Sequence, residues 1–226
     1  MNRTRILAMF AALGAFLFGT SSEASTPAPA PLQPLPDPVP APQPEFTLQD
    51  LIPAGWAPST GYTSPDKAAA NIAAAGMMVA NAEGTARGPN GGYDVLFGWP
   101  APGRTFDSAS AVSDHPKRFF PYVDKAGREL RTSAAGKYQI TATTYDDFRN
   151  RGKVQAGFTP AHQEAFFIAI LDSDGALEDV KAGRLVPAIN KMRNRWASLP
   201  GANVDQPMRS LAYVTAAYVA AGGTLA

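Results

Sequence analysis

The sequence predicts an α+β domain in which one helix, a small irregular sheet and a helical lobe follow one another along the chain. Three observations carry this expectation. Residues 64–84 hold an apolar helical stripe with a start signal and a stop signal at its ends. Residues 88–140 break into short β-like pieces separated by Gly, Pro, Asp and Ser turns. Helical periodicity then returns and runs to the C terminus. A helical part and a β part that are separate in sequence meet at a seam, and seams between lobes are where elongated ligands bind.

The elements justify themselves in order. Arg3 and Arg5 make a positive start, and Ile6 to Gly19 is an unbroken apolar run of 14 residues. Such a run is shorter than the roughly 20 residues needed to cross a bilayer as a helix. With the small-x-small pattern Ser22-Glu23-Ala24 it reads as a cleaved export signal over residues 1–24. The alternative is a weak signal anchor that associates transiently with the inner membrane through residues 6–19. Either reading puts the body outside the cytoplasm, in the periplasm or at the cell wall. Residues 25–64 read as a linker and lead-in. Nine of the 18 residues from Pro27 to Pro44 are proline, which favours an extended polyproline tether with a reach on the order of 55 Å. Phe46, Leu51, Ile52 and Trp56 follow as apolar residues able to dock on the domain.

The compact domain is expected over residues 65–226. Ser64-Pro65-Asp66 reads as an N-cap, a proline at the first helical position and an acid in the first turn, and Gly84 ends the helix. The β-like pieces are Tyr93 to Phe97, Arg118 to Val123 and Tyr138 to Ile140. Helices are expected over Thr141 to Asn150, from the Thr159-Pro160 cap onward, over Ala176 to Ala182, over Leu185 to Ala197 and over Met208 to Ala221.

Charge and cysteine content exclude whole classes of function. Net charge is +1, and beyond residue 64 there are 18 Lys and Arg against 15 Asp and Glu, too mild a bias for a dedicated nucleic-acid binder. Nine basic residues between His115 and Lys153 face only four acids, which suits an anionic polymer as partner or simply a solvated face. The chain has no cysteine, so disulfides, thiol catalysis and cysteine metal sites are excluded. Two histidines without metal-type spacing argue against a metal, no cofactor is implied, and no Gly-x-Ser-x-Gly elbow is present. A monomer is expected.

The residue that stands out is Glu83. At helical spacing Ile72, Gly76, Val79 and Glu83 share one stripe, so a carboxylate ends the face that packs on the domain. Partial burial raises a carboxyl pKa, as a general acid near neutral pH requires. A solvated glutamate in a fraying last turn fits the same local pattern. Trp196 follows the apolar stripe Leu185, Ile189 and Met192 and reads as core, whereas Trp56 and Trp99 lie in loops and suit stacking on a sugar.

Several short segments then carry a resemblance. Glu83-Gly84-Thr85, Gly92-Tyr93-Asp94-Val95, Ser113-Asp114-His115-Pro116, Gly136-Lys137-Tyr138-Gln139, Trp196-Ala197-Ser198-Leu199-Pro200-Gly201 and the closing Ala220-Ala-Gly-Gly-Thr224 occur in the order seen in lambda-type phage endolysins. The chain resembles that family from about residue 70 to 224. The resemblance implies a lysozyme-like fold, with a mainly helical lobe, a small irregular antiparallel sheet and an active-site cleft between them. It also implies lytic transglycosylation of peptidoglycan glycan strands at the MurNAc-GlcNAc β-1,4 bond, leaving a 1,6-anhydro product, with Glu83 as the catalytic residue. Tyr138 and Gln139 resemble a glycan-orienting pair at the seam, and Tyr93 and Asp114 complete the expected substrate-binding set. The lambda-type enzyme itself has neither the export signal nor the proline tether. A water-dependent lysozyme using a second carboxylate (from the candidates Asp94, Asp107 and Asp114, with Asp94 and Asp114 first), and a wall-binding module without turnover, are the alternatives.

Overall fold

A computed structural model describes residues 64–124, 127–202 and 208–226. The expected export signal, the expected tether and Trp56 lie outside the described residues. The first helix, α1 (Pro65–Glu83), is bounded as its end residues dictate. The Ser64 hydroxyl accepts from the Lys67 amide, Pro65 occupies the first turn, and Gly84 closes the helix at φ 77°. A short 3₁₀ turn, Pro89–Gly92, leads into the β part.

The only two paired strands among the described residues are β1 (Phe120–Val123) and β2 (Glu129–Thr132). They are antiparallel, with Phe120 opposite Thr132 and Val123 opposite Glu129. The expected pieces at Tyr93 to Phe97 and Tyr138 to Ile140 do not become strands. They make single bridges, Val95 to Thr105, Leu96 to Ala135 and Ala135 to Ile140. Their alternating apolar residues are buried by packing on the helices, so burial selects them without a ladder to extend. Strand β2 is not anticipated by the sequence, because Glu-Leu-Arg-Thr offers one apolar residue.

Helices α2 (Ala142–Asn150), α3 (Pro160–Ser173), α4 (Leu177–Ala182), α5 (Leu185–Met192) and α6 (Leu211–Ala220) form the helical lobe. Thr141, Thr159 and Ser210 cap α2, α3 and α6 with their side chains. Helix α5 ends five residues short of the expected Ala197, and α6 begins at Leu211 instead of Met208. The stretch between them turns so that Trp196 enters the core and Ser198 approaches α1.

Helix α1 is the central strut, lying against α6, α4 and α3. Its Ala and Gly residues let neighbours approach closely. One core spans both parts: Leu96, Ala135, Tyr138 and Ile140 pack with Met78, Phe158, Phe166, Phe167, Ile170 and Trp196. Tyr138 stacks on Phe167 with ring centroids 4.4 Å apart, and Trp196 meets Phe167 at 5.6 Å. Burying an aromatic ring of this kind contributes about 2–3 kcal/mol. Asn71, on α1, gathers the far end of the lobe. Its amide donates to Lys181 O at 2.9 Å, and its oxygen accepts from the Thr224 amide at 2.9 Å and hydroxyl at 3.1 Å. The closing Gly-Gly-Thr segment is therefore tied to the helix that carries Glu83 at its other end.

Among the described residues, four of the basic residues between His115 and Lys153 are neutralised. Lys117 pairs with Asp114 and Asp146, Arg128 with Asp124, Lys137 with Glu164 and Arg151 with Asp147. The positive surface is weaker than the residue count implies.

Candidate active site

Glu83 occupies the last turn of α1, where Gly84 in the left-handed conformation turns the chain away from it. The residue is half-buried. Its Oε1 accepts a hydrogen bond from the Ser198 hydroxyl at 2.6 Å. Loss of hydration raises the Glu83 pKa from 4.5 to about 7, and this outweighs the opposing pull of the Ser198 hydroxyl and the Arg209 charge. Half of such groups carry a proton at neutral pH, the condition for a general acid.

Three sequence motifs meet around this carboxyl. Thr85, two residues on, donates its hydroxyl to Lys137 O at 2.5 Å. The Trp196 indole donates to Tyr138 O at 2.9 Å, and Ser198, two residues further, reaches Glu83. Arg209 ties the last side: its amide donates to Ser198 O at 2.8 Å and its guanidinium to Ala82 O at 3.4 Å. Glu-Gly-Thr, Gly-Lys-Tyr-Gln and Trp-Ala-Ser-Leu-Pro-Gly are three sides of one frame.

The Gly136 to Gln139 turn is shaped by what surrounds it. Gly136 has φ 74°, and a Cβ there would lie 2.1 Å from the Gln163 side-chain oxygen, so only glycine fits. Gln139 has φ 48°, and its side-chain amide donates back to Gly136 O at 3.0 Å. Gln139 is thus a buried turn-closing residue, 4% exposed.

Tyr93 and Tyr138 also lie inside, at 2% and 0% exposure. Both hydroxyls donate to Glu164 Oε1 at 2.6 Å, and Lys137 Nζ donates to the same oxygen at 3.0 Å. Burial and the adjacent Glu164 charge push both phenol pKa values well above 10. In this arrangement neither hydroxyl is presented to a ligand. Sequence reading missed Glu164 and Ser198. Glu164 lies at the start of the second turn of α3, just before the buried Phe166 and Phe167, where its inward placement is a weak signal; Ser198 carries none beyond its motif.

The remaining acids are engaged in their own loops. Asp94 Oδ1 accepts from the Asn90 side chain at 3.3 Å, the Ser108 amide at 3.2 Å and the Ser108 hydroxyl. Asp107 accepts from the Ala109 amide at 3.0 Å and the Ser110 hydroxyl at 2.5 Å, and its pKa is lowered. Asp114 accepts from the His115 amide at 2.9 Å and pairs with Lys117 at 3.1 Å, and its pKa too is lowered. His115 is buried, with Nε2 donating to Ile140 O at 2.9 Å while Nδ1 accepts from the Lys117 amide at 3.0 Å. Burial lowers its pKa to about 4, so the ring is neutral at neutral pH. His162 joins the Thr159 cap through Nδ1 at 2.6 Å. Trp99 is half-buried in the loop before Pro100. Among the described residues no group of His, Cys, Asp and Glu is placed to hold a metal ion, and no helix is long and apolar enough to cross a membrane.

Comparison with known proteins places this geometry. Residues 73–225 match the family model described as Endolysin. The chain is 36% identical to the endolysin of Escherichia phage P2 over 160 residues, covering 68% of this chain and 93% of that one. It is 33% identical to the endolysin of Escherichia phage lambda over 152 residues, covering 66% and 89%. Among solved structures it is similar to bacteriophage lambda lysozyme complexed with a chitohexasaccharide, with a TM-score of 0.58 and 30% identity over 70% of this chain and 97% of that one. The match to a second lambda lysozyme structure has a TM-score of 0.54. The helices, the two-stranded sheet and the carboxyl at the end of α1 thus sit in a lysozyme-like α+β fold, and this chain belongs to the endolysin family as a lysozyme-like enzyme acting on peptidoglycan.

Proposed function

We propose that the enzyme cleaves the MurNAc-GlcNAc β-1,4 bond by lytic transglycosylation, with Glu83 as its one catalytic carboxyl. The observation that supports this most directly is the contrast among the acids. Glu83 has its pKa raised to about 7, whereas Asp94, Asp107 and Asp114 are bound into their own turns. The neutral acid gives its proton to the bridging oxygen as the bond from that oxygen to the anomeric carbon breaks. The sugar's own 6-hydroxyl then bonds to the anomeric carbon and returns its proton to the Glu83 carboxylate. One group serves as acid and then base, and no water is consumed. The chitohexasaccharide bound by lambda lysozyme supports a β-1,4 glycan lying in the corresponding cleft of this chain.

In this reading Tyr93, Tyr138 and Gln139 act from behind the cleft by fixing the Gly136 to Gln139 turn, and Asp114 braces its loop. Trp99 remains the aromatic suited to stack on a sugar. Glu83→Gln keeps the shape and removes the titrating proton, so activity on purified sacculi should fall roughly a hundred- to ten-thousandfold while the variant stays folded. Asp94→Asn and Asp114→Asn should each keep a measurable fraction of the rate. Loss of all activity in either Asp variant with an intact fold would point to a second carboxylate. We take residues 1–24 as the export signal and residues 25–64 as a tether for the catalytic domain, 65–226. Sequencing the mature N terminus checks this: a start at Ser25 supports cleavage, and full-length protein in the membrane fraction supports the anchor.

A further inference from the structure

We propose that Ser198 is a positioning residue that assigns the catalytic proton to one oxygen of Glu83, an inference that rests on Glu83 being the general acid. Its hydroxyl donates to Glu83 Oε1 at 2.6 Å across 115 residues of sequence, and the residue is 8% exposed, so water competes poorly for that oxygen. A carboxylic acid carries its proton on one oxygen at a time. While Oε1 accepts from Ser198, the proton of the neutral acid belongs on Oε2, the oxygen left to face the scissile bond. After that proton is given up, the same hydroxyl stabilises the carboxylate with a charge-assisted bond. A single donor therefore serves both halves of the reaction without moving.

The position of Ser198 is built, not incidental. Two residues before it, Trp196 is fully buried, and its indole donates to Tyr138 O. The Ser198 carbonyl accepts from the Arg209 amide at 2.8 Å. Arg209 in turn donates to Ala82 O at 3.4 Å and lies over the Tyr213 ring at 5.1 Å. The backbone on both sides of the hydroxyl is anchored to elements that also hold α1. The groups facing the carboxyl are thus the Ser198 hydroxyl and the Arg209 charge. Each favours the ionised form, but among the described residues only Ser198 is hydrogen-bonded to the acid and selects an oxygen.

Ser198→Ala removes the hydroxyl without adding bulk. Turnover on soluble glycan fragments should drop roughly ten- to hundredfold with KM little changed, because the group acts on the proton and not on the sugar. The alkaline limb of the kcat profile should move up by about one pH unit, since a bond that favoured the carboxylate is gone. The same upward move should appear in a carbon-13 NMR titration of the Glu83 carboxyl, which needs no activity. Ser198→Thr, which keeps the hydroxyl, should return both the rate and the limb toward the parent. A Ser198→Ala enzyme with an unmoved limb and an unmoved carboxyl titration, or one whose loss lies wholly in KM, would overturn the proposal. So would a folded Ser198→Thr that behaves like the alanine variant. Glu83→Gln in the same assay separates the two readings. If Glu83→Gln stays active, the assignment of Glu83 is wrong. If it is inactive while Ser198→Ala matches the parent, only the role of Ser198 fails.

Discussion

At the residue scale, Glu83 is a group whose usefulness and whose cost have the same origin. Its native pKa of about 7 exceeds its ordinary value of 4.5, so the folded chain binds this proton more tightly than the unfolded chain does. The stability linked to it is fully present below about pH 4.5 and is lost as pH rises through 7, a change of about 3 kcal/mol. Glu83→Gln should therefore be the more stable protein above pH 7, with the advantage shrinking toward zero at pH 4.5. Urea melts of both forms across that range would show it, and parallel curves would contradict the raised pKa. The parent's rate should fall with rising pH over the same interval as the acid ionises. His115 works in the opposite sense. Its pKa is lowered from 6.5 to about 4, so its contribution is present above 6.5 and is lost as pH falls through 4. Between about 4.5 and 6.5 the two slopes oppose, which flattens the stability of the chain there. Another buried charge is the Lys137–Glu164 pair with its two tyrosines. Glu164→Gln leaves the Lys137 ammonium unpaired among aromatic rings and should cost about 3–5 kcal/mol, read as a fall in the denaturant midpoint.

At the scale of elements, α1 shows which features the sequence discloses and which it hides. Its start at Ser64-Pro65, its stop at Gly84 and its inward stripe are local rules, so they are legible from residue types alone. Gly76, in the middle of a helix, is legible only as an anomaly. Its reason comes from 62 residues away: a Cβ there would lie 2.6 Å from the Tyr138 hydroxyl. Gly76→Ala improves helix propensity by up to about 1 kcal/mol, yet it should destabilise the protein by about 1–3 kcal/mol through overpacking. A rise in melting temperature would show instead that Tyr138 yields easily. The Gly136 to Gln139 turn taught the reverse lesson. Tyr138 and Gln139 read as site residues because they sit in a family motif, and the structure shows their side chains buried in the turn that Thr85 and Trp196 hold. Ser198 was invisible as a partner of Glu83, since no periodicity links residues that far apart. The true ends of α5 and α6 were missed because burial of Trp196 overrides the helical pattern around it.

For the molecule as a whole, a single core joins the β part to the helical lobe, and the frame around Glu83 is assembled where they meet. The endolysin family match covers residues 73–225, and we take the segments before them as an export signal and a proline-rich tether that deliver the domain to the wall. The central claim is that one carboxyl suffices because the substrate supplies its own nucleophile. Digesting purified sacculi in heavy-oxygen water and weighing the released muropeptides tests it most directly. Muramic acid ends should be one water lighter than hydrolysis products, lack a reducing group and carry no label. Reducing ends that carry heavy oxygen would contradict it, and would make water the nucleophile and a second carboxylate necessary.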